Sequence, residues 1–201
     1  MIAVVVLAAG KSTRFPGNKL LAPVRGEAMI RRVVREALES RADVVIVVLG
    51  HDAERVRGAL EDLDGGKLRL VFNQDYEAGM SSSIKAGVAA VKEEARAVLI
   101  LPGDYALITR GAVDAVIEKY LEGAGRLLVA SFQGRRGHPL LIDRDLFDEV
   151  LQISEEEQGL RKVVRAHEGE LVVVEAGGPG VLVDVDTPED YRRFVEGVEG
   201  A

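Results

Sequence analysis

The chain has no cysteine in its 201 residues, which excludes disulfide staples, thiolate metal sites and a cysteine nucleophile. It also lacks any apolar run near the roughly 20 residues needed to span a bilayer, since the apolar N-terminal run breaks at Gly10. No basic segment precedes that run, so it does not read as a secretory leader; a cytoplasmic protein with no membrane partner is expected. Internal repeats and linkers long enough to separate domains are absent. The length therefore fits a single domain over residues 1–201, large enough to bury its own core. With 47% hydrophobic and 29% charged residues, the composition is that of a globular protein and not of a disordered one. A net charge of −7 argues against a nucleic-acid partner.

One further absence is local. Residues 1–26 contain Lys11, Arg14, Lys19 and Arg25 and no acid. A second acid-free window, Gly123 to Ile142, holds Arg126, Arg135, Arg136 and His138. Two basic patches on an acidic chain suggest anionic ligands held at particular places.

Short β-branched runs alternate with amphipathic stretches. Ile2–Leu7, Val44–Leu49, Leu68–Phe72, Ala97–Leu101 and Leu127–Ser131 are nearly continuous apolar runs, as expected of strands covered on both faces. Between them, Met29–Glu39, Ala53–Leu63, Ser82–Glu94 and Ala112–Leu121 carry apolar residues at three- and four-residue spacing. The alternation predicts βαβ units and an α/β fold: a Rossmann-like open, mostly parallel sheet with helices on both faces. After Ser131 the rhythm becomes mixed. Strands are expected at Pro139–Ile142, Leu171–Glu175 and Val181–Val185, and helices near Asp145–Leu151, Gly159–His167 and Pro188–Val195. Gly177 to Gly180 should form the turn between the last two strands.

The first strand runs into Leu7-Ala8-Ala9-Gly10-Lys11-Ser12-Thr13-Arg14, with Lys19 five residues on. Ligands of open α/β sheets bind beyond the carboxyl ends of strands. Small residues at Ala8, Ala9 and Gly10 admit a phosphate close to the backbone, Ser12 and Thr13 add hydroxyls, and Arg14 and Lys19 add charge. Gly10-Lys11-Ser12 is not the end of a P-loop, because the glycine that motif needs five residues earlier is Val5. The glycines of a dinucleotide fingerprint are missing as well.

Four other stretches carry chemistry. In Asn73 to Gly87, Gly79 should end a turn, and Ser81 or Ser82 should cap the next helix; three consecutive serines make a donor-rich helix start. Asp104 follows Leu101-Pro102-Gly103 at the end of a central apolar strand, a poor place for folding and a good one for a hard cation, while Thr109 is the expected cap of the helix beyond. Gly134-Arg135-Arg136-Gly137-His138-Pro139 reads as a basic loop entering a strand. In Asp184 to Tyr191, Thr187 should cap the last helix, with Pro188 at its first position. Asp184 and Asp186, two apart on a strand, would then point to one face.

The pattern L-A-A-G-x-S-x-R followed by Lys19-Leu20-Leu21 resembles the nucleotidyltransferase superfamily, most closely the molybdenum cofactor cytidylyltransferases and their guanylyl-transferring relatives. The resemblance implies the nucleotidyltransferase fold and a triphosphate wrapped by Leu7, Ala8, Ala9, Gly10, Lys11 and Ser12, with Arg14 and Lys19 on its phosphates. Ala9 stands where GTP users usually carry the first of two glycines, as is typical of CTP users. Phe15 and Pro16 replace the usual R-M-G continuation. The stretch N-x-D-Y-x-x-G-x-x-x-S-x-K-A-G is similar to the family's base-recognition segment, which implies Gly79 and Ser83 beside the base and Asn73 among the nucleotide-binding residues. Gly103 and Asp104 match the element whose aspartate coordinates Mg²⁺, although Ala106 stands where the family usually has proline. Gly137-His138-Pro139 resembles the cytidylyltransferase subgroup, implying that Arg135, Arg136, Gly137 and His138 meet the pterin or its phosphate. D-x-D-T-P-E-D-Y resembles the second metal-binding element, with Asp186 favoured as ligand and Asp184 second.

These resemblances imply an enzyme that transfers CMP from CTP to the phosphate of molybdopterin and releases pyrophosphate. Arg14, Lys19, Asp104 and Asp186 would be catalytic, and Asp104 and Asp186 would hold Mg²⁺. A guanylyltransferase using GTP, a nucleotidyltransferase of a sugar or polyol phosphate, and a nucleotide-binding regulatory protein are the alternatives.

Overall fold

A computed structural model describes residues 1–63 and 66–196, apart from the side chain of Glu196; residues 64, 65 and 197–201 of the expected 1–201 domain lie outside the described residues. In chain order the elements are β1 (Ile2–Ala8), β2 (Pro23–Val24), β3 (Glu27–Ala28), α1 (Met29–Leu38), β4 (Val44–Leu49), α2 (Ala53–Ala59), β5 (Leu68–Phe72) and α3 (Met80–Ala89). There follow β6 (Ala97–Pro102), α4 (Arg110–Leu121), β7 (Leu127–Phe132), β8 (Arg135–Asp143), α5 (Phe147–Val150), α6 (Leu160–Ala166), β9 (Leu171–Glu175) and α7 (Pro188–Tyr191). A π-helical turn, Arg192–Glu196, continues α7.

The main sheet has the order β5-β4-β1-β6-β8-β7-β9, and β2 and β3 form a separate small ribbon. β8 runs antiparallel to both its neighbours; every other pairing in the main sheet is parallel. The fold is thus the mostly parallel α/β sheet expected. All seven residues of β1 are buried because it lies between β4 and β6, with Val5 opposite Ile46 on one side and Ile100 on the other. Alternate residues then feed two cores. Val4, Val6, Val45, Val47, Leu99 and Leu101 pack with Val33 of α1, Val56 of α2 and Val113 and Ile117 of α4. Val5, Ile46, Val48, Val98 and Ile100 pack on the other face with Ile84 and Val88 of α3, Phe147 of α5 and Val163 of α6.

Three local expectations are corrected. Val181–Val185 is not a strand: Pro179–Leu182 forms a 3₁₀ turn, and the chain from Val183 to Thr187 lies outside the sheet, held by the Val185 N–H donating to the Asp104 carbonyl at 3.1 Å. Asp184 and Asp186 therefore approach the end of β6 from a loop. Ser81 and Ser82 do not cap α3, which begins at Met80 with Gly79 at its N-cap. Ser82 instead donates to the carbonyls of Asp75 and Gly79. Arg135 to Gly137 open β8, and the turn falls at Gln133-Gly134, both with positive φ. Thr109 and Thr187 do cap their helices, the latter in a reciprocal capping box with Asp190.

An ionic knot ties α6 to its neighbours. His167 Nε2 lies 2.9 Å from a Glu149 oxygen and its Nδ1 lies 3.4 Å from Glu170, which also pairs with Arg126 at 2.7 Å. The hydrogen bond to Glu149 raises the His167 pKa, and Glu170 adds to it. A raised folded-state value means stability that is fully present below the ordinary histidine pKa, about 6.5, and lost as pH rises through the folded value. Replacing His167 with glutamine is expected to lower the urea midpoint near pH 5.5 and to leave it nearly unchanged near pH 9. An equal loss at both values would show that the imidazole acts by packing and not by charge.

Candidate active site at the carboxyl ends of β1 and β6

The parallel half of the sheet brings the ends of β1 and β6 side by side. The Gly103 N–H donates to the Leu7 carbonyl at 2.9 Å, and a Cβ on Gly103 would lie 2.8 Å from that same oxygen, so only glycine lets the two strand ends meet. Beyond β1 the chain forms the long loop of residues 9–18. Ser12 adopts a left-handed conformation (φ 53°), and its hydroxyl accepts the Lys19 N–H. Asn18 caps the 3₁₀ turn Lys19–Leu21 by accepting the Leu20 N–H at 3.0 Å. This turn carries the Lys19 side chain back towards β6.

Lys19 Nζ sits between two carboxylates, 2.7 Å from Asp104 Oδ2 and 2.6 Å from Asp186 Oδ1. Arg14 reaches the other oxygen of Asp186 at 2.8 Å. Burial works to lower the Lys19 pKa, but the two carboxylates outweigh it and the net shift is upward. For Asp186 burial works upward, yet Lys19 and Arg14 hold it below the usual value. Asp184, further from the cations, is raised by burial and by Asp104 and Asp186.

Asp104 Oδ1 is buried with no hydrogen-bond partner. An unsatisfied buried oxygen of this kind costs about 1–3 kcal/mol, more when charged. Among the described residues no group of three or more histidines, cysteines or carboxylates is arranged to hold a metal. Two carboxylates with one oxygen unpaired nevertheless suit Mg²⁺, which takes one or two protein carboxylates and completes its shell with phosphates and water. Since Lys19 lies between those carboxylates, it competes with any cation there. Lys19→Met is expected to tighten Mn²⁺ binding without nucleotide by about tenfold or more, measured by titration calorimetry. Unchanged affinity would mean that the ammonium swings aside at no cost.

Two cavities meet at these carboxylates. The first, about 400 Å³, is lined by Ala9 to Arg14, Lys19, Tyr76, Glu77, Gly79 and Ser83. The second, about 810 Å³, has a floor of Ile84, Ile100, Val129, Leu140 and Leu160, with Arg136, His138, Glu155 and Arg161 among its polar residues. Leu7, Arg14, Met80, Pro102, Asp104 and Asp186 line both. Lys11 pairs with Glu77 at 2.5 Å at the side of the first cavity.

Not every expected residue faces a cavity. Ala8 is buried within β1, and neither it nor Gly103 lines a cavity. Asn73 is buried too, donating to the Ser82 and Ser83 hydroxyls at 2.8 and 3.0 Å, and lines neither cavity. Arg135 pairs with Phe132 across the β7–β8 hairpin and lines neither cavity. Arg136 lines the second cavity but is engaged by Glu168 at 2.7 Å. Gly137 lines the second cavity and is also required by packing, because a Cβ there would lie 1.8 Å from the Val181 carbonyl oxygen. His138 does face the cavity; burial lowers its pKa, one ring nitrogen lies 3.3 Å from the Ile100 carbonyl, and its ring meets Tyr105 edge-on.

The sequence reading missed Tyr105, Glu155 and Arg161. Tyr105 lies next to a motif residue and was within reach of it. Glu155 and Arg161 come from an acidic and a helical stretch whose local pattern is that of solvated surface, so nothing local marks them.

Residues 4–171 match the model of the MobA-like NTP transferase domain family. The chain is 31% identical to the purine catabolism protein PucB of Bacillus subtilis (strain 168), covering 93% of this chain and 92% of that protein. Among solved structures, a nucleotidyl transferase (Mth528) from Methanothermobacter thermautotroptrophicus superposes with a TM-score of 0.82 at 27% identity, covering 100% of this chain and 99% of the other. Rv0371c from Mycobacterium tuberculosis H37Rv, solved in complex with manganese, superposes with a TM-score of 0.74 at 28% identity, covering 97% and 98%.

Proposed function

Because this chain belongs to the MobA-like NTP transferase family, we propose that it transfers CMP from CTP to the terminal phosphate of a molybdopterin-type cofactor, releasing pyrophosphate. The observation that carries the reading is the meeting of two cavities at Asp104 and Asp186, as a two-substrate transfer requires. The smaller is ringed by the basic loop of β1, and the larger has an apolar floor suited to a flat ring system.

In this reading the triphosphate lies in the first cavity, where Lys11, Arg14 and Lys19 neutralise its charge and the Gly10 backbone lets it approach. The acceptor lies in the second cavity with its phosphate at the shared carboxylates. An acceptor oxygen attacks the α-phosphorus of CTP, the bond to the β-phosphate breaks, and pyrophosphate leaves with that electron pair. A phosphate monoester is already largely ionised near neutral pH, its second pKa being about 6, so no general base is needed. This suits a cavity in which burial keeps His138 neutral and the Tyr105 phenol protonated. Asp104 and Asp186 would hold Mg²⁺, which supplies charge neutralisation at the reacting phosphates. What the protein contributes is positioning and preorganised charge.

The test is pyrophosphate release with each nucleoside triphosphate, with and without molybdopterin. Release is expected with CTP and only when molybdopterin is present. A preference for GTP would change the donor, and release with sugar or polyol phosphates would change the acceptor. Binding of CTP with no release on any acceptor would replace the enzyme with a nucleotide-binding regulator.

A further inference from the structure

We infer that Glu155 and Ser81 form a recognition edge in the second cavity for a heterocycle presenting two adjacent N–H donors, the lactam–amidine edge of a 2-amino-4-oxopyrimidine ring. This rests on the acceptor cavity of the proposed function and names the chemical feature that the cavity selects.

The start of α3 is unusual in what serves it. Gly79, at the N-cap, has no side chain with which to cap, and the Ser81 N–H instead donates to Oε1 of Glu155, 74 residues away, at 2.5 Å. Two glycines in positive-φ conformations make this approach possible. A Cβ on Gly79 (φ 102°) would fall 2.4 Å from Glu155 Cγ, and one on Gly159 (φ 56°) would fall 2.8 Å from Ser81 Oγ. Backbone freedom has thus been used on both segments to bring a carboxylate and a hydroxyl together.

Neither group is satisfied by the protein alone. Ser81 is 3% exposed and its hydroxyl is buried without a hydrogen-bond partner. Glu155 uses one carboxylate oxygen on the helix start, and both residues line the second cavity and not the first. A simple helix cap would need the carboxylate only; it would not leave the hydroxyl of a cavity-lining serine buried and unpaired beside it. A carboxylate accepts two parallel N–H bonds, as it does from other planar, forked donors. The neighbouring hydroxyl, which can both donate and accept, meets the next polar atom of the ring. The apolar floor formed by Ile84, Leu140 and Leu160 takes the ring face. Because Glu155 and Ser81 are absent from the first cavity, the edge reads the acceptor and not the nucleotide base.

The test uses two fluorescent probes, 2-amino-4-oxopteridine and 2,4-dioxopteridine, titrated into the full chain. The second compound puts a carbonyl oxygen where the first has its amino group, and so loses one donor of the pair. The wild type is expected to bind the amino compound about tenfold or more tightly than the dioxo compound, as lost bonds to a charged acceptor dictate. Glu155→Gln should abolish that discrimination, Ser81→Ala should weaken binding of the amino compound several-fold, and Glu156→Gln should change neither. Equal affinities for the two probes, binding of neither, or retained discrimination in Glu155→Gln would overturn the inference. Discrimination without any pyrophosphate release from CTP and molybdopterin would instead leave the edge standing and overturn the proposed reaction.

Discussion

Asp104→Asn should lower CTP-dependent pyrophosphate release by about a thousandfold or more while leaving the fold intact, since the loss falls on charge positioned at the reacting phosphates. Stability should change by only about 1 kcal/mol or less, because opposing terms meet at this position. One contact of Lys19 is lost, but the ammonium keeps Asp186 at 2.6 Å. In return, the repulsion that raises Asp184 is relieved, and the unpartnered Asp104 Oδ1 ceases to be a carboxylate oxygen. The check is steady-state pyrophosphate release beside a urea titration of the same preparation. Near-normal turnover would remove Asp104 from the reaction, and collapse of the fold would make the carboxylate structural.

A large loss of stability is expected at Gly180. A Cβ there would lie 2.0 Å from the Leu107 carbonyl oxygen and 2.6 Å from its carbon, both backbone atoms with no rotamer to change. Gly180→Ala should therefore cost about 3 kcal/mol or more, at the upper end of what overpacking does. Since the Pro179–Leu182 turn leads into Asp184 and Asp186, activity should fall with stability. Gly111, at the second position of α4, is the matched control: its nearest neighbour would be 3.9 Å away. There alanine should stabilise by about 0.5–1 kcal/mol, the usual gain from removing a helical glycine. Urea midpoints of the two variants measure the contrast, and equal midpoints would show that the 179–182 turn shifts freely.

How far the molecule could be read from its residues depends on the distance over which each feature is determined. Runs such as Ile2–Leu7 and Val44–Leu49 announce themselves, because a strand buried on both faces needs apolar residues at every position. The β1 loop is similarly plain: its charges, hydroxyls and small residues lie within one stretch, and the structure gathers Gly10, Lys11, Ser12, Arg14 and Lys19 around one cavity. Val181–Val185 misled because its apolar content is that of a strand. It packs by backbone contact through Gly180 and Val181, which side-chain pattern does not record. The start of α3 was misplaced for a related reason, since its carboxylate partner comes from 74 residues away. Lys19 stands between Asp104 and Asp186, and no local pattern reveals that pairing, because it joins three separate parts of the chain.

The reversed strand β8 has a consequence for how such a protein can diversify. Up to β6 the chain builds the parallel half, and apart from Asp104, just past the end of β6, and Asp186 every residue around the smaller cavity belongs to it. From β7 onward the chain supplies the far walls of the larger cavity, joined to the first half through the antiparallel seam of β6 and β8. Substitutions or insertions beyond that seam can reshape one chamber while the loop after β1 keeps its backbone. Under the proposed assignment of donor and acceptor, a fixed donor chemistry with an exchangeable acceptor is thereby written into strand order, and Asp186, crossing back from the second half, is the tether that any such exchange must preserve.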